Sequence, residues 1–246
     1  LDFPQIYPKL DEIIENAKKA DVKIILTNGV DKDTNRLSLE IAKKYDIVKP
    51  CLGFYPPDAW TRESGTGFNQ EEFKKELEFI KKNKDKIVAI GEIGMDYKNG
   101  KDKQLQEKVF TKLIQLAKEI DKPIIVHSRK AEEDVIEVLE KEQAKKVVMH
   151  CFCGKRKLIE KASNLKYYFS IPTNVVRSEN IQNIIKIVPL SQLFAETDSP
   201  FLSPFKEKQN QPSFIIESYK KIAEIKQLTI EEVKNNLFMN WQKLFC

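Results

Sequence analysis

The residues of this chain best suited to chemistry are its histidines and the acids that close short apolar runs. Phe194-Ala195-Glu196-Thr197-Asp198-Ser199-Pro200 carries two acids two apart, and Pro200 stops any regular structure beyond them. In a strand those carboxylates would point the same way, because side chains repeat with period two. An acid at the C-terminal mouth of a buried parallel strand is unusual unless something positive meets it. Three other apolar runs finish in a similar manner, at Glu92, His127 and His150. A single histidine in such a place is more often a satisfied core residue. The chain has only two histidines, both sit at such ends, and two carboxylates share their depth, which reverses that weighting in favour of a divalent metal centre. Mixed imidazole and carboxylate ligands suit Zn²⁺, Mn²⁺ or a pair of divalent ions. Metal lowers the pKa of bound water and so supplies hydroxide near neutrality.

Strands and helices alternate along the chain, as positioning four such ends requires. A helical period of apolar residues runs from Ile6 to Ala20, with Pro8 tolerable only near a first turn. Lys23 to Thr27 is a compact β-branched strand closed by Asn28-Gly29, followed by a helix over Thr34 to Lys44 and a strand around Ile47 to Gly53. Tyr55 to Gly67 is a loop, and Asn69 with Glu72 starts a helix that continues through Ile80. The strand Ile87 to Gly91 leads into Glu92, a long helix from Leu105 to Ile120 precedes the strand Pro123 to His127, and a helix carrying Val135, Val138 and Leu139 precedes Lys146 to His150. A helix near Leu158 to Ala162, a strand over Tyr167 to Ile171, a helix over Ile181 to Val188 and a strand over Leu193 to Glu196 follow. The remainder is helical, with a capping box at Thr229 and Glu232. The strands are near-continuous apolar runs, as buried parallel strands are. The expected architecture is an α/β TIM (β/α)8 barrel in a single domain over residues 1–246. Seven strand signals are one short of closure, so the first strand is expected to lie upstream of Leu1.

Composition sets limits. The chain has 246 residues, 41% hydrophobic and 32% charged, with net charge +5. That supports a sizeable core and permits a polyanionic partner without demanding one. No apolar run approaches the about 18 residues of a membrane span. The four cysteines (Cys51, Cys151, Cys153, Cys246) form no spaced framework, which points to a reducing, cytoplasmic setting. Cys151 and Cys153 beside His150 are weighed as plain packing over metal ligation.

Gly91-Glu-Ile-Gly-Met-Asp-Tyr97, Val126-His-Ser-Arg129, His150-Cys-Phe-Cys-Gly154 and Glu196-Thr-Asp-Ser-Pro200 closely resemble the four internal motifs of the TatD-type metal-dependent deoxyribonucleases, in order and spacing over essentially the whole chain. The resemblance implies a barrel of the amidohydrolase superfamily that hydrolyses DNA with one or two divalent ions (Mg, Mn or Zn). Glu92, His127, His150 and Asp198 match the family's ligand positions, with Asp198 also the general base towards the attacking water. The family's first strand carries His-x-His just before a Leu-Asp pair, and this chain opens on Leu1-Asp2. The sequence as given is therefore expected to hold a part-built site, with four ligands in place and two missing, that binds metal weakly or not at all. Tyr55 stands where the family has His in a Gly-x-His-Pro turn, and Gln209-Asn-Gln-Pro212 where it often has Arg-Asn-Glu-Pro. Both changes bear on substrate choice. Arg129 is the expected phosphate contact, because a guanidinium fork matches phosphate oxygens. Lys155 and Arg156 are weaker candidates, Tyr97 could stack on a base or bond a phosphate, and Ser199 could hold Asp198 in place. DNA is the expected partner. The alternatives are an amidohydrolase acting on a small ester or amide, and a catalytically inactive barrel that binds.

Overall fold

The computed structural model describes residues 1–56 and 68–246. Most of the loop expected between Tyr55 and Gly67 therefore lies outside the described residues. Among the described residues seven strands hydrogen-bond in chain order, and every strand pair with a defined register is parallel. The strands are β1 (Ile25–Asn28), β2 (Val48–Leu52), β3 (Ala89–Asp96), β4 (Ile124–Arg129), β5 (Val147–Met149), β6 (Tyr168–Pro172) and β7 (Leu193–Glu196). The helices are α1 (Leu10–Lys19), α2 (Lys32–Lys44), α3 (Gln70–Lys82), α4 (Lys103–Glu119), α5 (Glu132–Lys141), α6 (Arg156–Asn164), α7 (Glu179–Ile187), α8 (Ile216–Lys226) and α9 (Ile230–Phe245). No helix among the described residues is long and apolar enough to cross a membrane.

Local chemistry accounts for most boundaries. The first helix begins at Leu10 rather than Ile6, because Pro8 sits in a 3₁₀ turn over Tyr7–Lys9 and cannot donate to a longer α-helix. Leu10, Ile13, Ile14 and Ala17 then form one buried stripe. Asp31 caps α2 by accepting from the Thr34 amide at 2.8 Å, and Asn69 caps α3 through the Glu71 and Glu72 amides. Thr229 and Glu232 form the expected capping box of α9.

The chain divides into two compact units, Leu26–Met149 and Leu1–Ile25 with His150–Cys246. In the first, β3 and β4 stay paired as far as Asp96 and Arg129, with a register shift between Ile90 and Ile93. Ile90, Ile93, Met95, Phe110, Leu113 and Ile114 are fully buried, each contributing about 1.5–3 kcal/mol relative to exposure. The buried Gln106 of α4 fixes the end of β3 at two points, accepting from the Asp96 amide at 2.8 Å and donating to its carbonyl at 3.1 Å. In the second unit, β6 and β7 pair from Phe169 with Leu193 to Pro172 with Glu196. Asn240 of α9 donates to the carbonyls of Leu190 and Leu193 at 2.9 and 2.8 Å, which holds the start of β7.

Gly94 faces His127 across the β3–β4 pair at φ +144, a conformation that L side chains rarely adopt. A Cβ there would collide with the His127 carbonyl. Gly94→Ala is expected to destabilise the protein by about 3 kcal/mol or more. A denaturant midpoint unchanged by the substitution would contradict this reading of the pair.

Candidate functional site

Each unit carries one histidine held against carboxylates. In Leu26–Met149, Glu92 lies on β3 and His127 on the adjacent β4. Both sit inside their strands rather than at the ends, as the sequence had suggested. The strands continue past them because pairing persists to Asp96 and Arg129. His127 Nδ1 lies 2.8 Å from Glu92 Oε1. Its other nitrogen, Nε2, lies 2.9 Å from the Tyr55 hydroxyl and 3.6 Å from Asp96 Oδ2.

The Tyr55 hydroxyl donates its one proton to Asp96 Oδ2 at 2.9 Å, which leaves its oxygen able to accept from a proton on His127 Nε2. Asp96 is wholly buried, yet its oxygens are satisfied. Oδ1 accepts from the amides of Lys98 and Asn99, and Oδ2 from the Asn99 side chain as well as Tyr55. Burial pushes this carboxyl up, but the nearby His127 imidazole and the hydrogen bonds from the Asn99 amide and Tyr55 outweigh it and hold Asp96 well below the usual carboxylate range. Burial, with the negative charges of Glu92 and Asp96, drives the Tyr55 phenol upward, so it stays a neutral donor. With its proton on Nε2, the tautomer a metal ligand needs, His127 relays to Tyr55 and Asp96 and turns Nδ1 as an acceptor towards Glu92 Oε1, a pairing that needs a cation; with the proton on Nδ1 it donates to Glu92.

The second unit repeats this logic with the ring nitrogens exchanged. His150 follows β5 by one residue, and its Nδ1 lies 2.6 Å from Glu196 Oε2 at the end of β7. Glu196 is itself pinned, Oε2 accepting from Ser170 Oγ at 2.6 Å and Oε1 from the Cys151 amide at 2.9 Å. His150 Nδ1 is thus the donor, and Nε2 is left facing Asp198 Oδ1 at 3.8 Å. Asp198 does not share the strand geometry of Glu196, which overturns the period-two expectation. β7 stops at Glu196, and Asp198 adopts φ +56, a left-handed conformation that Asp tolerates better than most residues. The turn aims its carboxylate at the imidazole while Glu196 holds the far side of the ring.

In each unit, then, a hydrogen bond on one ring nitrogen turns the other towards a carboxylate. Two acceptors facing each other repel unless a proton or cation lies with them. The donor set of imidazole nitrogen and carboxylate oxygen fits a divalent ion, and anchoring of the opposite ring nitrogen by a carboxylate-based network is what metal-ligating histidines require.

The remaining candidates fall in different settings. Arg129 ends β4 with its side chain exposed. Tyr97 donates its hydroxyl to Asp134 Oδ2 at 2.7 Å, and Lys103 Nζ lies 4.1 Å over its ring. Lys155 is exposed just before α6, and Arg156 pairs with Glu160 at 2.8 Å. Ser199 donates to Thr197 rather than to Asp198. The four cysteines are unbridged. Sequence reasoning assigned no role to Asp96, Glu196 or Asn210. Asp96 lay inside a quoted motif and Glu196 at a strand end, so both were visible as types, but their partners come from other strands. Asn210 keeps the Asn of the Arg-Asn-Glu-Pro pattern, but sequence reasoning weighed only the glutamines on either side of it. It is buried and donates to Thr173 Oγ1 and to the carbonyls of Thr197 and Phe201.

The sequence matches the family described as TatD related DNase over residues 1–246. It is 35% identical to the uncharacterized metal-dependent hydrolase YabD of Bacillus subtilis, over 100% of this chain and 96% of that protein. It is 34% identical to the human deoxyribonuclease TATDN3, over 100% of this chain and 92% of that one. The crystal structure of YjjV, a TatD homologue from Escherichia coli, superposes with a TM-score of 0.88 at 24% identity, covering 99% of this chain and 94% of that one. That likeness establishes the TIM-barrel type of fold.

Glu196→Gln preserves size but removes the charge that steers His150. Divalent-metal affinity measured by calorimetry is expected to fall about 10–100-fold. Affinity equal to that of the unaltered chain would show that His150 is not held for metal by Glu196.

Proposed function

The chain belongs to the TatD related DNase family, and from that premise we propose that it cleaves phosphodiester bonds of DNA with the help of a divalent metal. Membership makes it a metal-dependent hydrolase. The deoxyribonuclease activity is our reading, supported by the name of its human relative. The observation that carries it is the paired arrangement of histidine and carboxylate in each unit, at the positions whose types match the family's ligands.

In this reading Glu92, His127, His150 and Asp198 are the ligands. Divalent metal bound to these residues would supply Lewis-acid activation of water and phosphoryl oxygen. The chain's own groups do the rest. His127 presents Nδ1 because Tyr55 and Asp96 occupy Nε2, and His150 presents Nε2 because Glu196 occupies Nδ1. Asp198 accepts the proton of the attacking water, its carboxylate kept in place by the left-handed turn. Arg129 receives the phosphate, with a guanidinium fork suited to two oxygens at once. Lys155 adds positive charge at the start of α6. Tyr97 is a weaker phosphate ligand than Arg129, because Asp134 already takes its hydroxyl.

Asp198→Asn keeps the shape of the side chain and removes its basicity. With Mg²⁺ or Mn²⁺ and a DNA oligonucleotide, hydrolysis is expected to drop by at least about 10²-fold. Chelation of the metal should likewise abolish the rate of the unaltered chain. Full hydrolysis by the Asn variant would sink the assignment.

A further inference from the structure

We infer that the loop following β7, residues 201–208, is a nucleobase platform beside the proposed general base Asp198; the inference rests on the nuclease reading above. Phe201 is 52% exposed and Phe205 42% exposed, and each has one perpendicular aromatic neighbour. Phe201 packs perpendicular to Phe3 with centroids 5.2 Å apart, and Phe205 perpendicular to Phe214 at 5.1 Å. A perpendicular neighbour braces a ring and covers at most one of its faces, so the exposed remainder is what a base would stack on.

Exposed phenylalanine on a loose loop would carry little meaning, but this loop is built to hold its rings out. The buried Asn210 donates to the carbonyls of Thr197 and Phe201 at 2.6 Å each. Thr173 donates to the Leu202 carbonyl at 2.9 Å, and Arg177 to that of Pro204 at 3.2 Å. The Phe201 amide donates to the Asp198 carbonyl at 2.9 Å. One tight turn therefore sets both the proposed general base and the exposed ring. Lys206 and Lys208 are exposed on the same loop on either side of the exposed Glu207, and Lys208 Nζ sits over the Phe205 ring at 5.6 Å, so Phe201 carries most of the platform. Rings that accept bases beside cations that accept phosphates are the combination that binds an unpaired stretch of a DNA strand. An acidic peptide would use the lysines and leave the exposed Phe201 ring without a role.

The test uses a short oligonucleotide carrying 2-aminopurine, and an abasic strand of the same length as the control. Phe201→Ala is expected to raise KM on the intact strand about ten-fold or more and to leave kcat/KM on the abasic strand unchanged. It should also relieve the quenching of 2-aminopurine on binding, and Phe201→Trp should restore both. If the unaltered chain cleaves DNA while Phe201→Ala and Phe205→Ala match it on both strands, the platform is overturned and the nuclease reading stands. If the chain cleaves no DNA yet quenches 2-aminopurine in a Phe201-dependent manner, the platform stands and the nuclease reading falls. Neither cleavage nor quenching would remove both. Self-association of the unaltered chain that Phe201→Ala abolishes would assign the rings to a second copy instead and overturn the proposal.

Discussion

The arrangement at the candidate site depends on one constraint: an imidazole can present only one nitrogen as an acceptor once the other is committed as a donor. In this chain the commitment is made by buried or pinned groups. Glu196, itself fixed by Ser170 and the Cys151 amide, takes Nδ1 of His150. Tyr55 and Asp96 take Nε2 of His127. The two rings therefore offer opposite nitrogens to their carboxylates, Asp198 and Glu92. A free imidazole would sample both orientations, and ordering it at the moment of metal binding would cost affinity. Here the ordering is done by folding.

The fold supplies the rigidity this needs. β3 and β4 remain paired through Asp96 and Arg129, so Glu92 and His127 sit on backbone that cannot drift. Gln106 fixes both polar groups of the Asp96 backbone, which keeps the Asp96 carboxylate under Tyr55. In the other unit, the pairing of β6 with β7 brings Ser170 to Glu196, and Asn210 ties the turn after Asp198 to Thr173. Tyr55 shows how a departure from the family's usual histidine can be absorbed. Its phenol occupies the relay as a neutral donor, kept so by burial and by the nearby acids.

Much of this was legible in the sequence because it depends on local pattern. Apolar runs marked the strands, caps at Asn69 and Thr229 marked helix starts, and four motifs in order marked the candidate ligands. What stayed hidden depends on tertiary pairing or on a local dihedral. The extension of β3 past Glu92 follows from its partner strand, which no single run reveals. The left-handed turn at Asp198 replaces the strand geometry that two acids spaced two apart suggested. Tyr97 has the right chemistry for a phosphate, but Asp134 lies 37 positions along the chain and takes its hydroxyl. The start of α1 shows the reverse case, since Pro8 was recognised as needing a first turn and the structure places it in a 3₁₀ turn just ahead of the helix.

The central claim is that both histidines are held as metal ligands. Because the chain contains two histidines and no more, their ring signals can be followed by NMR without ambiguity during addition of sub-stoichiometric Mn²⁺. Paramagnetic broadening of both imidazoles ahead of the rest of the spectrum is the result this account predicts. Broadening that spares either ring, or that appears first at surface carboxylates elsewhere, would contradict it.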